Sequence, residues 1–92
     1  MDGLKQTPLF YAAVGGHKEV LDLLTTAGTD VNHVDTYGQT SIFYCIREGN
    51  IIATQFLVSK GALADFIDNN GQTPMYYAIK HGHFEMVEYL IK

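Results

Sequence analysis

Apolar residues recur at spacings of three and four in three separate stretches: Val20, Leu21, Leu23 and Leu24, then Ile52, Phe56 and Leu57, then Met86, Val87, Tyr89 and Leu90. Such spacing gathers side chains on one face of a helix. Each stretch follows a glycine, Gly16, Gly49 or Gly82, and a glycine past the last turn takes the left-handed conformation that ends a helix. The segment before each glycine therefore reads as a shorter helix. Thr7, Thr40 and Thr73 stand at its start, where a threonine hydroxyl can accept a backbone N–H. Pro8 and Pro74 follow at the first helical position, where the missing N–H costs nothing. Glu19 and Glu85 suit the positive end of the second helix, and Gly28 and Gly61 close its far end. Asp35-Thr36-Tyr37-Gly38 and Asp68-Asn69-Asn70-Gly71 carry the aspartate and glycine placement of a tight reversal. The predicted unit is a short helix, a turn, a second helix and a projecting turn.

This unit repeats. Gln6-Thr7, Gln39-Thr40 and Gln72-Thr73 lie 33 residues apart, and Asp2, Asp35 and Asp68 fall in the same register. The blocks are 2–34, 35–67 and 68–92, the last stopping early. Units of this period cannot bury their own apolar face and stack on their neighbours instead. The expected fold is all-α, a single solenoid domain over 1–92 of stacked helix-turn-helix units with β-turn fingers on one side. Terminal units of such arrays need a polar outer face. Neither end has one, so the chain is expected to be a piece of a longer array, and its free ends to favour end-to-end self-association.

The 92 residues carry a formal net charge of -4, with 47% hydrophobic and 17% charged residues. That is ordinary globular usage. An acidic excess without Lys/Arg clusters argues against nucleic acid as a partner. No apolar run approaches the roughly 20 residues of a membrane span, and MDGLKQTP lacks a signal-peptide pattern. A lone cysteine, Cys45, excludes an internal disulfide framework and fits a reducing compartment, so an intracellular, cytoplasmic protein is expected. Cys45 aligns with Ala12 and Ala78 and reads as a small core residue. His17, His33, His81 and His83 do not form a metal-ligand spacing with it, and no phosphate loop or nucleophile motif occurs. The chain is read as non-catalytic, with no cofactor and no metal.

Thr7-Pro8-Leu9 with Ala12-Ala13, Gly16-His17-Lys18-Glu19, Gly28-Thr29-Asp30-Val31-Asn32, Gly71-Gln72-Thr73-Pro74 and Gly82-His83-Phe84-Glu85 together resemble the ankyrin repeat, with its DxxGxTPLHxA, GHxE and GADVN segments. The departures matter. Phe10, Phe43 and Tyr76 replace the histidine that, in the family, bridges neighbouring units, so aromatic packing is expected to take over that ordering. The second block has Ser41 for proline, Asn50-Ile51-Ile52-Ala53 where GHxE continues, and Leu63-Ala64-Asp65 in place of ADVN. Its first helix is expected to be the weakest-capped. Lys5 stands where the family has glycine, which predicts an irregular leading finger.

The doublets Phe10-Tyr11, Phe43-Tyr44 and Tyr76-Tyr77 recur at the period and are assigned to the inter-repeat core. Finger tips and the ends of the first helices differ between blocks, and the resemblance implies that these places line a concave surface for protein partners. The candidate partner-binding residues are Leu4, Tyr37, Gln39, Arg47, Glu48, Asn69, Asn70, Gln72, Lys80 and His81. Tyr37 is the aromatic finger tip, and exposed tyrosines make good anchors. Arg47 and Lys80 would set two positive charges one repeat apart, favouring an acidic partner segment with an apolar or aromatic contact, although cations also suit a helix C-terminus without any partner. Three functions stay open: a non-catalytic protein-interaction module, a recruiting or regulatory segment of a larger enzyme, and a structural stretch of solenoid.

Overall fold

Among the described residues, about half lie in six short helices: α1 (Pro8–Gly15), α2 (Lys18–Thr26), α3 (Ser41–Arg47), α4 (Ile51–Ser59), α5 (Pro74–Lys80) and α6 (Phe84–Leu90). The computed structural model describes residues 3–91, so Asp2 of the first turn and Lys92 lie outside the described residues. Each first helix packs against the one after it, forming the pairs α1·α2, α3·α4 and α5·α6. The first helices line up side by side as α1·α3·α5, and α2 packs on α4 behind them. A row of helix pairs is the solenoid that the period requires.

The middle pair has a neighbour on both sides, and its composition follows from that. Every residue from Ser41 to Ile46 is buried, and Ile42, Ile46 and Leu57 join Leu9, Leu21 and Met86 in one core. Burying side chains of that size stabilises by about 1.5–3 kcal/mol each. Cys45 is wholly buried in this core, as are Ala12 and Ala78 at the same register.

The threonine caps differ from expectation. Thr7, Thr40 and Thr73 hold the extended backbone of an N-cap, but none makes a side-chain cap bond. Their carbonyls close the turn instead, accepting from the N–H of Phe10, Phe43 and Tyr76 at 3.0, 3.1 and 3.1 Å. The hydroxyls of Thr7, Thr40 and Ser41 are buried with no hydrogen-bond partner. Three residues after Thr7 and Thr40, the place where the resemblance implies histidine holds phenylalanine, which offers a hydroxyl nothing. All three first helices therefore lack a side-chain cap, and α3 is not singled out. The divergent second block supplies a working cap elsewhere: the Asn50 side chain accepts from the Ala53 N–H at 2.9 Å at the start of α4.

In the described part of the leading finger, Lys5 keeps the turn that the sequence led one to expect it to disturb. Lys5 takes φ 61°, the same left-handed turn as Gly38 at 77° and Gly71 at 76°. An L residue there carries strain of about 1–2 kcal/mol. The turn is held from outside, because His33 Nε2 donates to the Lys5 carbonyl at 2.8 Å.

The aromatic doublets divide. Phe10, Phe43 and Tyr44 are buried together, with Phe66 and Tyr77 against them. Phe10 meets Tyr44 edge to face at 5.6 Å, and Phe43 meets Tyr77 at 6.3 Å. Tyr11 and Tyr76 are exposed, because each lies on an end face where no further helix pair covers it.

Candidate functional site

A hydrogen-bonded ladder ties each finger to the one before it. Asp35 and Asp68 begin their turns, and one carboxylate oxygen of each accepts backbone N–H groups of its own turn: Tyr37 and Gln39 at 2.9 and 3.0 Å, Asn70 and Gln72 at 3.0 and 2.9 Å. The other oxygen joins a glutamine of the preceding unit to a tyrosine of its own. Asp35 Oδ2 accepts from Gln6 Nε2 at 3.1 Å and from the Tyr44 hydroxyl at 2.5 Å. Asp68 Oδ2 accepts from Gln39 Nε2 at 2.8 Å and from the Tyr77 hydroxyl. Both aspartates are buried yet fully bonded, which is the condition for carrying a charge there.

The finger tips are joined by backbone as well. Thr36 N–H donates to the Leu4 carbonyl at 2.8 Å, and Asn69 N–H to the Tyr37 carbonyl at 3.0 Å. Asn69 Nδ2 adds a bond to the Thr36 carbonyl at 2.8 Å. A Cβ on Gly38 would come within 2.5 Å of Asn69 Oδ1, so that glycine is required by close approach as well as by its φ of 77°.

Protonation follows the ladder. Burial would raise the Asp68 pKa, but the bonds from Tyr77, Gln39, Gln72 and Asn70 outweigh it and hold the carboxyl below its ordinary range. Burial, then the bond to Asp35, pushes Tyr44 well above an ordinary phenol, and burial with Asp68 raises Tyr77 in the same way. Burial pushes the Cys45 thiol up to about 12, so it is not a ready nucleophile.

Above the ladder lies an open groove of about 440 Å³, lined by Leu4, Gln6, Tyr37, Gln39, Tyr44, Arg47, Asn70 and Tyr77. Leu4, Tyr37 and Asn70 share one register position on three successive fingers, giving the groove an apolar, an aromatic and an amide tip. Tyr37 is 50% exposed. The Arg47 guanidinium lies 4.4 Å from the centre of the Tyr44 ring, held by stacking and free of any ion pair among the described residues. No carboxylate residue lines this groove.

Five of the ten candidate residues thus meet in one place: Leu4, Tyr37, Gln39, Arg47 and Asn70. Gln39 is buried, and its amide is already engaged by Asp68 and Tyr77, so it forms floor. Asn69 spends its side chain on Thr36. Gln72 is half-buried, and Glu48 is exposed outside the groove. Lys80 reaches over Tyr76 at 5.9 Å, and the His81 ring stands 6.1 Å from that of His83. Neither lines the groove. Sequence reasoning missed Gln6, Tyr44 and Tyr77 as groove residues.

Among the described residues, no group of three or more histidine, cysteine or acidic side chains is placed to hold a metal. No helix among them is long and apolar enough to cross a membrane. A family model for ankyrin repeats, in three copies, matches residues 9–92. A search of curated proteins finds no match.

Proposed function

This chain belongs to the ankyrin-repeat family, and we propose that it holds a segment of a partner protein in the groove between Leu4, Tyr37, Arg47 and Asn70, as a non-catalytic interaction module of units 2–34, 35–67 and 68–92. Ankyrin repeats generally mediate protein–protein interaction and are typically non-catalytic. The observation that carries the finer reading is the pairing of a half-exposed Tyr37 with an Arg47 that has no ion pair among the described residues, on a floor fixed by the buried ladder. A rigid floor lowers the ordering cost of binding, and a fixed tyrosine buries much area with little lost rotamer freedom. The occupant this favours is an extended segment with an acidic residue beside an aromatic or apolar one. Arg47 would meet the carboxylate bidentately, and Leu4 with Tyr37 would cover the apolar side chain.

The test is a display selection from a random peptide library on the immobilised chain. Enriched peptides should carry the acidic and aromatic pair, and should lose binding at least tenfold to the Tyr37→Ala, Arg47→Glu double variant. Peptides that bind the variant as well as the parent would remove the assignment. Both side chains lie outside the core, so the thermal midpoint of the variant should stay that of the parent.

A further inference from the structure

From Ile51 to Ser59, α4 carries no charged residue, whereas α2 carries Lys18, Glu19 and Asp22 and α6 carries Glu85 and Glu88. Its inner side is occupied, since Ala53, Thr54 and Leu57 are buried. A second helix that faces water ordinarily sets charged residues outward, as α2 and α6 do. Here the outward residue is an isoleucine. Ile52, which spacing groups with Leu57, is 59% exposed, although the middle pair has a neighbour on both sides. This exposure belongs to the middle of the stack and owes nothing to its ends.

The neighbouring helices frame this side with charge. At the 33-residue register Ile52 stands between Glu19 of α2 and Glu85 of α6, and Gln55 between Asp22 and Glu88. All four carboxylates are exposed, and none is in an ion pair among the described residues. α4 packs more closely on α2 than on α6, and between α4 and α6 lies an open groove of about 530 Å³ lined by Ile51, Gln55, Phe84, Glu85, Glu88 and Tyr89. Ile52 borders it, being next to Ile51 and one turn before Gln55. The face already holds one cation against an aromatic ring, because Lys60 sets its ammonium 5.4 Å from the centre of the Phe56 ring. Tyr89, the equivalent of Phe56, offers a second ring inside the groove.

We propose that this face docks a basic amphipathic helix of a partner protein, its apolar side chains on Ile51, Ile52 and Phe84 and its lysines or arginines over Tyr89 and toward Glu19, Asp22, Glu85 and Glu88. Packed helices lie about 8–10 Å apart, so the acidic rows on α2 and α6 stand about 16–20 Å apart. One helix, about 10–12 Å across with its side chains, fits between them. Burial of the apolar strip supplies affinity, and the carboxylates set orientation and speed encounter. An anionic membrane surface would be repelled by the same four carboxylates. The face belongs to the second helices, not to the fingers, and does not depend on what the groove at Tyr37 and Arg47 holds.

Fluorescence anisotropy of a labelled synthetic peptide, with leucine on one helical face and lysine and arginine on the other, tests this on the 92-residue chain. The parent should bind it, and the same peptide with serine for leucine should bind at least tenfold more weakly. Ile52→Lys and Gln55→Lys should each weaken binding at least tenfold as well. Both sites are exposed, circular dichroism checks that the variants fold, and either one suffices if the other does not. The Glu85→Lys, Glu88→Lys double variant should also lose at least tenfold. Glu48→Lys with Asp65→Lys makes the same charge change at exposed sites off this face, and should bind nearly as the parent does. Equal losses for the two double variants, or a serine peptide that binds as well as the leucine one, would reduce the attraction to bulk charge and overturn the proposal. A parent that ignores the peptide also overturns it, and cosedimentation of that parent with phosphatidylcholine vesicles would assign the face to lipid instead.

Discussion

Gln39 donates its side-chain amide to the Asp68 carboxylate at 2.8 Å, and Gln6 does the same to Asp35 at 3.1 Å, each bond crossing from one helix pair to the next. These glutamine to aspartate bonds, with Tyr44 and Tyr77 closing them, do the bridging for which the resemblance implies a histidine. The joint is both polar and aromatic.

Removing one rung should therefore be costly in proportion to what it leaves unpaired. Asp68→Ala strips partners from Gln39, Tyr77 and two backbone N–H groups, and should cost about 3 kcal/mol. Gln39→Ala should cost about 1–2 kcal/mol. Gln72→Ala, whose side chain makes no hydrogen bond among the described residues, should stay within about 0.5 kcal/mol. Urea denaturation of the three variants checks the order, and equal effects for Gln39 and Gln72 would contradict it.

The same ladder predicts a stability plateau bounded on both sides by pH. Asp68 has a folded pKa below its ordinary value, so its contribution is present above about pH 4 and is lost as pH falls. Tyr44 and Tyr77 have folded pKa values above theirs, so their contribution is complete below about pH 10 and is lost as pH rises. Denaturation midpoints measured from pH 2 to 11 should fall at both ends. Tyr77→Phe should flatten the alkaline limb, and Asp68→Asn the acid limb.

Ser41 occupies the first position of α3, where Pro8 and Pro74 stand in α1 and α5, and its buried hydroxyl has no partner. Ser41→Pro removes that orphan and restricts the unfolded chain, so it should stabilise by about 1 kcal/mol. A thermal midpoint several degrees higher is the expected readout. A lower midpoint would show that the proline ring does not fit beneath the neighbouring pair.

Lys5 holds φ 61° without a glycine. Lys5→Gly relieves that strain at some cost in unfolded-state entropy, and should stabilise by about 0.5–1 kcal/mol net. The corresponding Gly38→Ala should destabilise by more than this, because the new methyl also meets Asn69. A Gly38→Ala variant as stable as the parent would mean that the fingers do not approach as described.

The solenoid was legible because a 33-residue register places glycines at helix ends whatever the side chains between them. The ladder was half legible: Gln6 and Gln39, Asp35 and Asp68, and Tyr44 and Tyr77 each recur at that offset, but nothing in one sequence says that glutamine of one unit reaches aspartate of the next. Gln39 and Tyr37 both read as partner-binding residues in the sequence, and in the stack Gln39 is floor while Tyr37 is half exposed. Burial separates them, and burial depends on the stack. The threonine caps misled because local spacing describes which groups can bond, whereas the stack buries the Thr40 hydroxyl without giving it a partner.

The central claim is that the finger and first-helix groove holds a partner segment, and amide chemical-shift mapping tests it most directly. A selected acidic and aromatic peptide is titrated into the ¹⁵N-labelled chain. Shifts should concentrate on Leu4, Tyr37, Arg47 and Asn70, with α2, α4 and α6 unmoved. Shifts that cluster on those three helices instead, with Tyr37 and Arg47 silent, would contradict the account.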